Sequence, residues 1–136
     1  MASTEKDLIS KAIKVMKNAY APYSKFHVGV CLETESGKQF TGCNVENSSY
    51  GATICAERVA IGAAVASGEK GIKKIAIVSS SDRPCTPCGI CRQVLAEFGP
   101  DTEIICTSVK GKKIEKFLLK NLLPHSFDKS FVSGNR

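Results

Sequence analysis

The chain has 136 residues, 43% of them hydrophobic and 24% charged, with a formal net charge of +6 at pH 7. That length and balance suit one globular domain over 1–136, and no apolar run approaches the ~20 residues that a membrane span needs. A polar start without a secretory leader and an odd number of cysteines, seven, argue against a disulfide framework, so a cytoplasmic chain with reduced thiols is expected.

The lysines are scattered from Lys6 to Lys129, with no basic block interleaved with aromatics, so no nucleic-acid partner is expected. Thr4 and Asp7 form a capping-box-like start, and Leu8, Ile9, Ala12, Ile13, Val15, Met16 and Ala19 give the first helix an apolar face. Pro22 follows its end. "HVGVCLETESGKQFTGCNV" reads as two strands about a turn at "ESGK". "TICAERVAIGAAVA" opens a helix that is small and apolar after Glu57 and Arg58, reads as buried all round, and stops near Gly68. "IKKIAIVSS" is a strand, "CGICRQVLAEF" a helix and "TEIICTS" a strand, and "KGKK" turns into a short strand or helix around Ile114 to Leu119. This order predicts a three-layer α/β sandwich on a mixed sheet of about five strands. The first two strands form an antiparallel hairpin, and the later ones, arriving through helical crossovers, should be parallel.

Three cysteines are candidates for a metal site. Cys88 and Cys91 in "PCTPCGICRQ" form a C-x-x-C pair at a helix start, one turn apart on one face, with Pro87 ahead of them. A helix N-terminus favours negative charge and biases both thiols towards thiolate, and Cys55 opens the other helix under the same conditions. Two such N-termini can converge to give zinc three ligands and one open position, which is the catalytic pattern. A thioredoxin-like redox pair would follow the first strand of its unit, and this pair comes late. Cys31, Cys43 and Cys106 read as buried filler, and His27 and His125 as loop or edge residues. Cys85 is close enough in sequence to be weighed as a fourth ligand.

Charge is costly to bury unless it is paired or serves chemistry, which is why Glu57 and Arg58 stand out behind Cys55. Glu57 can stand beside the open position and carry protons, and its alternative role is to complement the helix dipole. Arg58, one turn beyond Cys55, can reach back to the thiolates and draw charge from them.

C-x-E followed by P-C-x-x-C is a zinc-deaminase signature. With "AYAPYSKFHVG", "GCNVENSSYG", "CAER", "PCGICRQV" and "LLPHSF", the chain resembles the small homotetrameric zinc-dependent cytidine deaminases from about Ala19 to Phe127. The resemblance implies hydrolytic deamination of cytidine and deoxycytidine to uridine and deoxyuridine, in pyrimidine salvage, with one zinc ion per subunit on Cys55, Cys88 and Cys91. It implies Glu57 as the proton shuttle serving attack of water on C4 of the pyrimidine, first to N3 and then to the departing ammonia. The Ala56 N–H would hold the base carbonyl, Phe26 would pack on the nucleoside, and Asn44 and Glu46 would bind the ribose 3′-hydroxyl. Residues matching Tyr50 and Phe127 complete neighbouring subunits' sites in that family, which implies a homotetramer with shared sites. Val59, Cys85, His125 and Ser126 depart from the family's pattern.

Three rivals share part of the signal. A deaminase of bases within RNA or DNA would want a basic groove and more often a histidine as first ligand. A deaminase of nucleoside-like antibiotics would lack the full "NVENSSYG" stretch. A structural zinc module would want a fourth ligand and leave Glu57 and Arg58 without a role.

Overall fold

The computed structural model describes residues 3–132. Its first helix, α1 (Glu5–Met16), starts where the capping signal puts it: the Thr4 hydroxyl accepts the Asp7 N–H at 3.1 Å. The strands are β1 (Val28–Thr34), β2 (Gln39–Cys43), β3 (Ile72–Ser79), β4 (Glu103–Ser108) and β5 (Glu115–Leu118), and the remaining helices are α2 (Ala56–Ala66), α3 (Gly89–Phe98) and the short α4 (Leu119–Leu122). The strands form one sheet in the order β2-β1-β3-β4-β5.

Every residue of β1 is buried, so both faces of the sheet are covered there. Period-two alternation divides the core into two layers. Cys31, Ala76, Val78 and Ile105 face Leu8 and Ala12 of α1. Val30, Leu32, Ile75, Ile77 and Ile104 face Ala60, Ile61 and Ala64 of α2 and Leu95 of α3. This is the expected three-layer arrangement on a mixed five-stranded sheet. None of the described helices is long and apolar enough to cross a membrane.

Two expectations need correction. The later strands are not uniformly parallel: β1 pairs antiparallel with both β2 and β3, β3 with β4 is parallel, and β5 returns antiparallel to β4. The α2 crossover passes over β1, so β3 lands on the far side of β1 rather than beside β2. The connection 109–114 contains no helix, and a connection that short makes a hairpin, not a crossover. The segment around Ile114 to Leu119 proves to be strand β5 leading into α4.

The second correction concerns α2. Ala56, Glu57, Ala60, Ile61 and Ala64 are buried, but Gly62, Ala63, Val65 and Ala66 lie open on the single chain. Helix α2 therefore buries one face only within the chain. That face sits hard against β2. A Cβ on Gly42 would come within 2.5 Å of the Ala56 carbonyl oxygen and 2.6 Å of the Ala60 nitrogen, so only glycine lets the strand and the first turn of the helix approach this closely.

Candidate metal centre

Strands β2 and β3 run in the same direction on either side of β1, so the segments leaving them emerge at one edge of the sheet. Each leads to a helix N-terminus there, and a cysteine is the N-cap of both. Cys55 caps α2 and Cys88 caps α3, both with extended backbone, and neither side chain makes a capping hydrogen bond. Their sulfurs are left for other work.

Cys91 adds a third sulfur from the first turn of α3, and the three Sγ atoms all lie within 4.8 Å of one another. The Cys55 and Cys88 sulfurs are 3.8 Å apart. Tetrahedral ligation with Zn–S bonds of ~2.3 Å puts sulfurs ~3.8 Å from each other, so the spacing fits zinc. Among the described residues no fourth histidine, cysteine or carboxylate joins this group. Cys85 lies outside it, half-buried, its thiol pKa raised by burial. His27 and His125 lie outside it as well.

The electrostatics favour a thiolate at this point. The Cys55 thiol is pulled down to about 5, first by the hydrogen bond from Cys91 and then by Arg58 and Cys88. Cys91, the donor in that pair and itself buried, is shifted upward. Arg58 donates from one terminal nitrogen to the Cys55 sulfur at 3.7 Å and to the Thr53 carbonyl at 3.3 Å. Its Nε is buried without a partner, a cost accepted to hold a cation beside the thiols.

Glu57 is 5% exposed. Burial pushes its carboxyl up to about 7, and the negative charge of Cys55 adds to the shift, while its own backbone N–H and the Cys91 thiol pull the other way. A carboxyl poised near neutrality can both take and give a proton at working pH.

A cleft of about 160 Å³ opens over this group. Glu57, Ala56, Cys55 and Cys88 line its metal end, Phe26, Val28 and Asn44 one wall, and Thr53, Cys85 and Thr86 the rest. Asn44 ties β1 to the preceding loop: its Oδ1 accepts the Val28 N–H at 2.9 Å and its Nδ2 donates to the Phe26 carbonyl at 2.8 Å. Glu46 is not part of the lining. Its carboxylate accepts from the Tyr23 and Ser24 N–H groups at 3.0 and 3.1 Å and from the Ser24 hydroxyl, which holds its pKa low and fixes the loop bearing Phe26.

Tyr50 and Phe127 do not reach the cleft of their own chain. Tyr50 is 78% exposed in a 3-10 turn, edge-on to Tyr23, and Phe127 is 59% exposed, stacked on Phe131. Val28, Thr53 and Thr86 also line the cleft, and no local pattern in the sequence marks them, because packing between distant segments brings them there.

Residues 2–107 match the family model of the cytidine and deoxycytidylate deaminase zinc-binding region. The chain belongs to this family. A cytidine deaminase of Sporosarcina psychrophila is 44% identical over 127 residues, covering 93% of each chain. A blasticidin-S deaminase of Bacillus cereus is 30% identical over 115 residues, covering 79% of this chain and 81% of its own. The crystal structure of a cytidine deaminase from Burkholderia pseudomallei superposes with a TM-score of 0.87 at 44% identity, over 92% of this chain and 100% of that one. This zinc-binding deaminase is a hydrolase acting on C–N bonds, zinc is its cofactor, and the cluster of Cys55, Cys88 and Cys91 fits that metal.

Proposed function

We propose that the chain hydrolyses free cytidine and deoxycytidine to uridine and deoxyuridine with release of ammonia, in pyrimidine salvage, using one zinc ion per subunit held by Cys55, Cys88 and Cys91. The observation that carries this reading is the buried Glu57 carboxyl beside the three converging thiols at the end of a cleft. Zinc held there supplies the Lewis acidity that makes water nucleophilic at neutral pH.

The chain's own groups do the rest. Glu57 receives the proton that the attacking water gives up, passes it to N3 of the ring and carries the second proton to the leaving ammonia. The Ala56 N–H belongs to the first turn of α2 and has no acceptor within its helix, so it is free for the base carbonyl. Phe26 packs against the base from the cleft wall. Asn44 spends one amide hydrogen on Phe26 and keeps a second for a ribose hydroxyl. Glu46 approaches the ribose from just outside the cleft lining, its carboxylate kept charged by the Ser24 hydroxyl and the Tyr23 and Ser24 amides. Arg58 offsets thiolate charge that would otherwise weaken the metal as a Lewis acid.

A homotetramer with shared sites accounts for the surface of the single chain. Tyr50 and Phe127 are large, exposed and outside their own cleft, and the open side of α2 is small and apolar. Seven free thiols suit a reducing cytoplasm.

Zinc analysis together with loss of cytidine absorbance tests the activity, run beside blasticidin S and single-stranded DNA and RNA. Turnover of free cytidine and deoxycytidine by the zinc-loaded protein is expected, and preference for any other substrate overturns the reading. Truncation before Phe127 should weaken cytidine binding with zinc intact, and mixing it with a Glu57→Gln chain should restore some activity in hybrids. A fully active monomer in sedimentation would remove the shared site.

A further inference from the structure

Arg92 is not used by the chemistry above, although it follows Cys91 directly. Its Nε donates to the Pro87 carbonyl at 2.7 Å, one terminal nitrogen to the Leu122 carbonyl at 2.9 Å and the other to the Thr86 hydroxyl at 3.0 Å. Its backbone N–H donates to the Cys88 carbonyl at 2.9 Å. Arg92 thus holds the carbonyls on both sides of the Cys88 Cα, one through its side chain and the other through its backbone.

Cys88 needs such an anchor. The segment 80–88 that delivers it has no helix or strand of its own. An N-cap residue is ordinarily fixed by its side-chain bond to the helix, and Cys88 makes none. The Leu122 carbonyl has a matching need, since it ends a four-residue helix whose last carbonyls lack intrahelical donors. One planar guanidinium, with five N–H donors in a fixed fork, serves three acceptors on two segments, which a lysine ammonium cannot do in the same geometry.

We infer that Arg92 is a positioning residue that fixes the Thr86–Cys88 loop against the C-terminal segment, so that zinc retention depends on a guanidinium that is not itself a ligand. The inference rests on Cys88 being a zinc ligand. Thr86 lines the cleft, so the same fork also orients one of its polar side chains.

The test is the rate at which the zinc-loaded full-length protein gives up zinc to a chromogenic chelator, measured beside kcat and KM. Arg92→Lys keeps the charge and loses the fork, and should release zinc roughly 10–100-fold faster, the range seen when groups supporting metal ligands are removed. Thr86→Val removes one acceptor of three and should give a smaller acceleration. Gln93→Leu cuts the adjacent bond from Gln93 Nε2 to the Phe127 carbonyl at 2.7 Å, and should leave zinc release unchanged. Release at the wild-type rate from Arg92→Lys overturns the inference, as does a Gln93→Leu chain that loses zinc as fast as Arg92→Lys. If Arg92→Lys does not fold, Thr86→Val decides: faster release supports the role and an unchanged rate overturns it. Cys88→Ala separates the two levels. Zinc kept by Cys88→Ala removes the ligand reading and the inference with it, whereas zinc lost there but held normally by Arg92→Lys removes Arg92 alone.

Discussion

Helices α1, α2 and α3 all begin from an N-cap with extended backbone, at Thr4, Cys55 and Cys88, yet they begin in two different ways. Thr4 closes its helix with a hydroxyl to the Asp7 N–H, and Glu5 and Asp7 complement the dipole. Cys55 and Cys88 close nothing. A thiol in place of a hydroxyl or carboxylate cap forgoes about 0.5–2 kcal/mol of stability at each start. In return the open N–H groups and the dipole stabilise negative sulfur. The backbone of a helix start is common property, and one side chain decides whether it serves stability or chemistry.

The most forceful way to break the contrast is to remove a thiol. Cys55→Ala, Cys88→Ala and Cys91→Ala should each lose zinc and, with it, activity, whereas Cys85→Ala should retain both, as metal analysis of the four proteins will show. Cys88→Thr sharpens the point by giving α3 a start of the α1 kind. Its metal-free form should be more stable than metal-free wild type by about 1 kcal/mol in denaturant titration while zinc is not retained. A Cys88→Thr chain that gains no stability would mean that the thiol start costs nothing.

Glu57→Gln comes next in size. It keeps the helix start and the thiols but cannot carry protons, so turnover should fall by ~10²–10⁴-fold or more with zinc and fold intact. Near-normal turnover in the zinc-loaded variant would remove Glu57 as the shuttle.

Arg58→Ala should cost roughly 10–100-fold in turnover, since charged hydrogen bonds contribute ~1.5–3 kcal/mol. Zinc should be at least partly retained, and the pH optimum should move upward. An unchanged pH profile with unchanged turnover would show that Arg58 does not tune the site.

The smallest effects belong to α1. Thr4→Ala should cost ~1 kcal/mol of stability and leave turnover alone. Asp7 is held below its ordinary value of 3.8, chiefly by the hydrogen bond from Gln39. Its contribution is therefore complete above the unfolded pKa and is lost as pH falls through the lowered folded value. Asp7→Asn should flatten this acid limb in a pH series of melting temperatures. An identical acid limb in the variant would put the acid sensitivity elsewhere.

Much of the fold and site is written locally. The cap at Thr4 and the alternation in β1, β3 and β4 are matters of neighbouring residues, and so is the C-x-x-C step that brings Cys88 and Cys91 to one face. The metal set, Glu57 and Arg58 could be named from their spacing together with the family's motifs. The far ends of the interactions could not. Arg92 grips residues on either side of its own helix, Leu122 among them, and no spacing in the chain announces that bond.

By itself, then, the sequence determined which segments up to β4 become helices and strands, though not the strand-or-helix choice around Ile114 to Leu119, and which two helix starts carry thiols instead of caps. Tertiary structure alone decided that β3 lies beside β1, because a crossover can return on either side of a hairpin and only packing selects one. It also decided that Cys85 stays outside the metal group and that the Glu57 carboxyl is buried enough to be pushed to about 7. The open side of α2 belongs to the same class, since an apolar residue reads alike whether its own chain covers it or leaves it open. Helical and strand periods act over a few residues, whereas desolvation and metal geometry depend on distances between segments far apart in the chain.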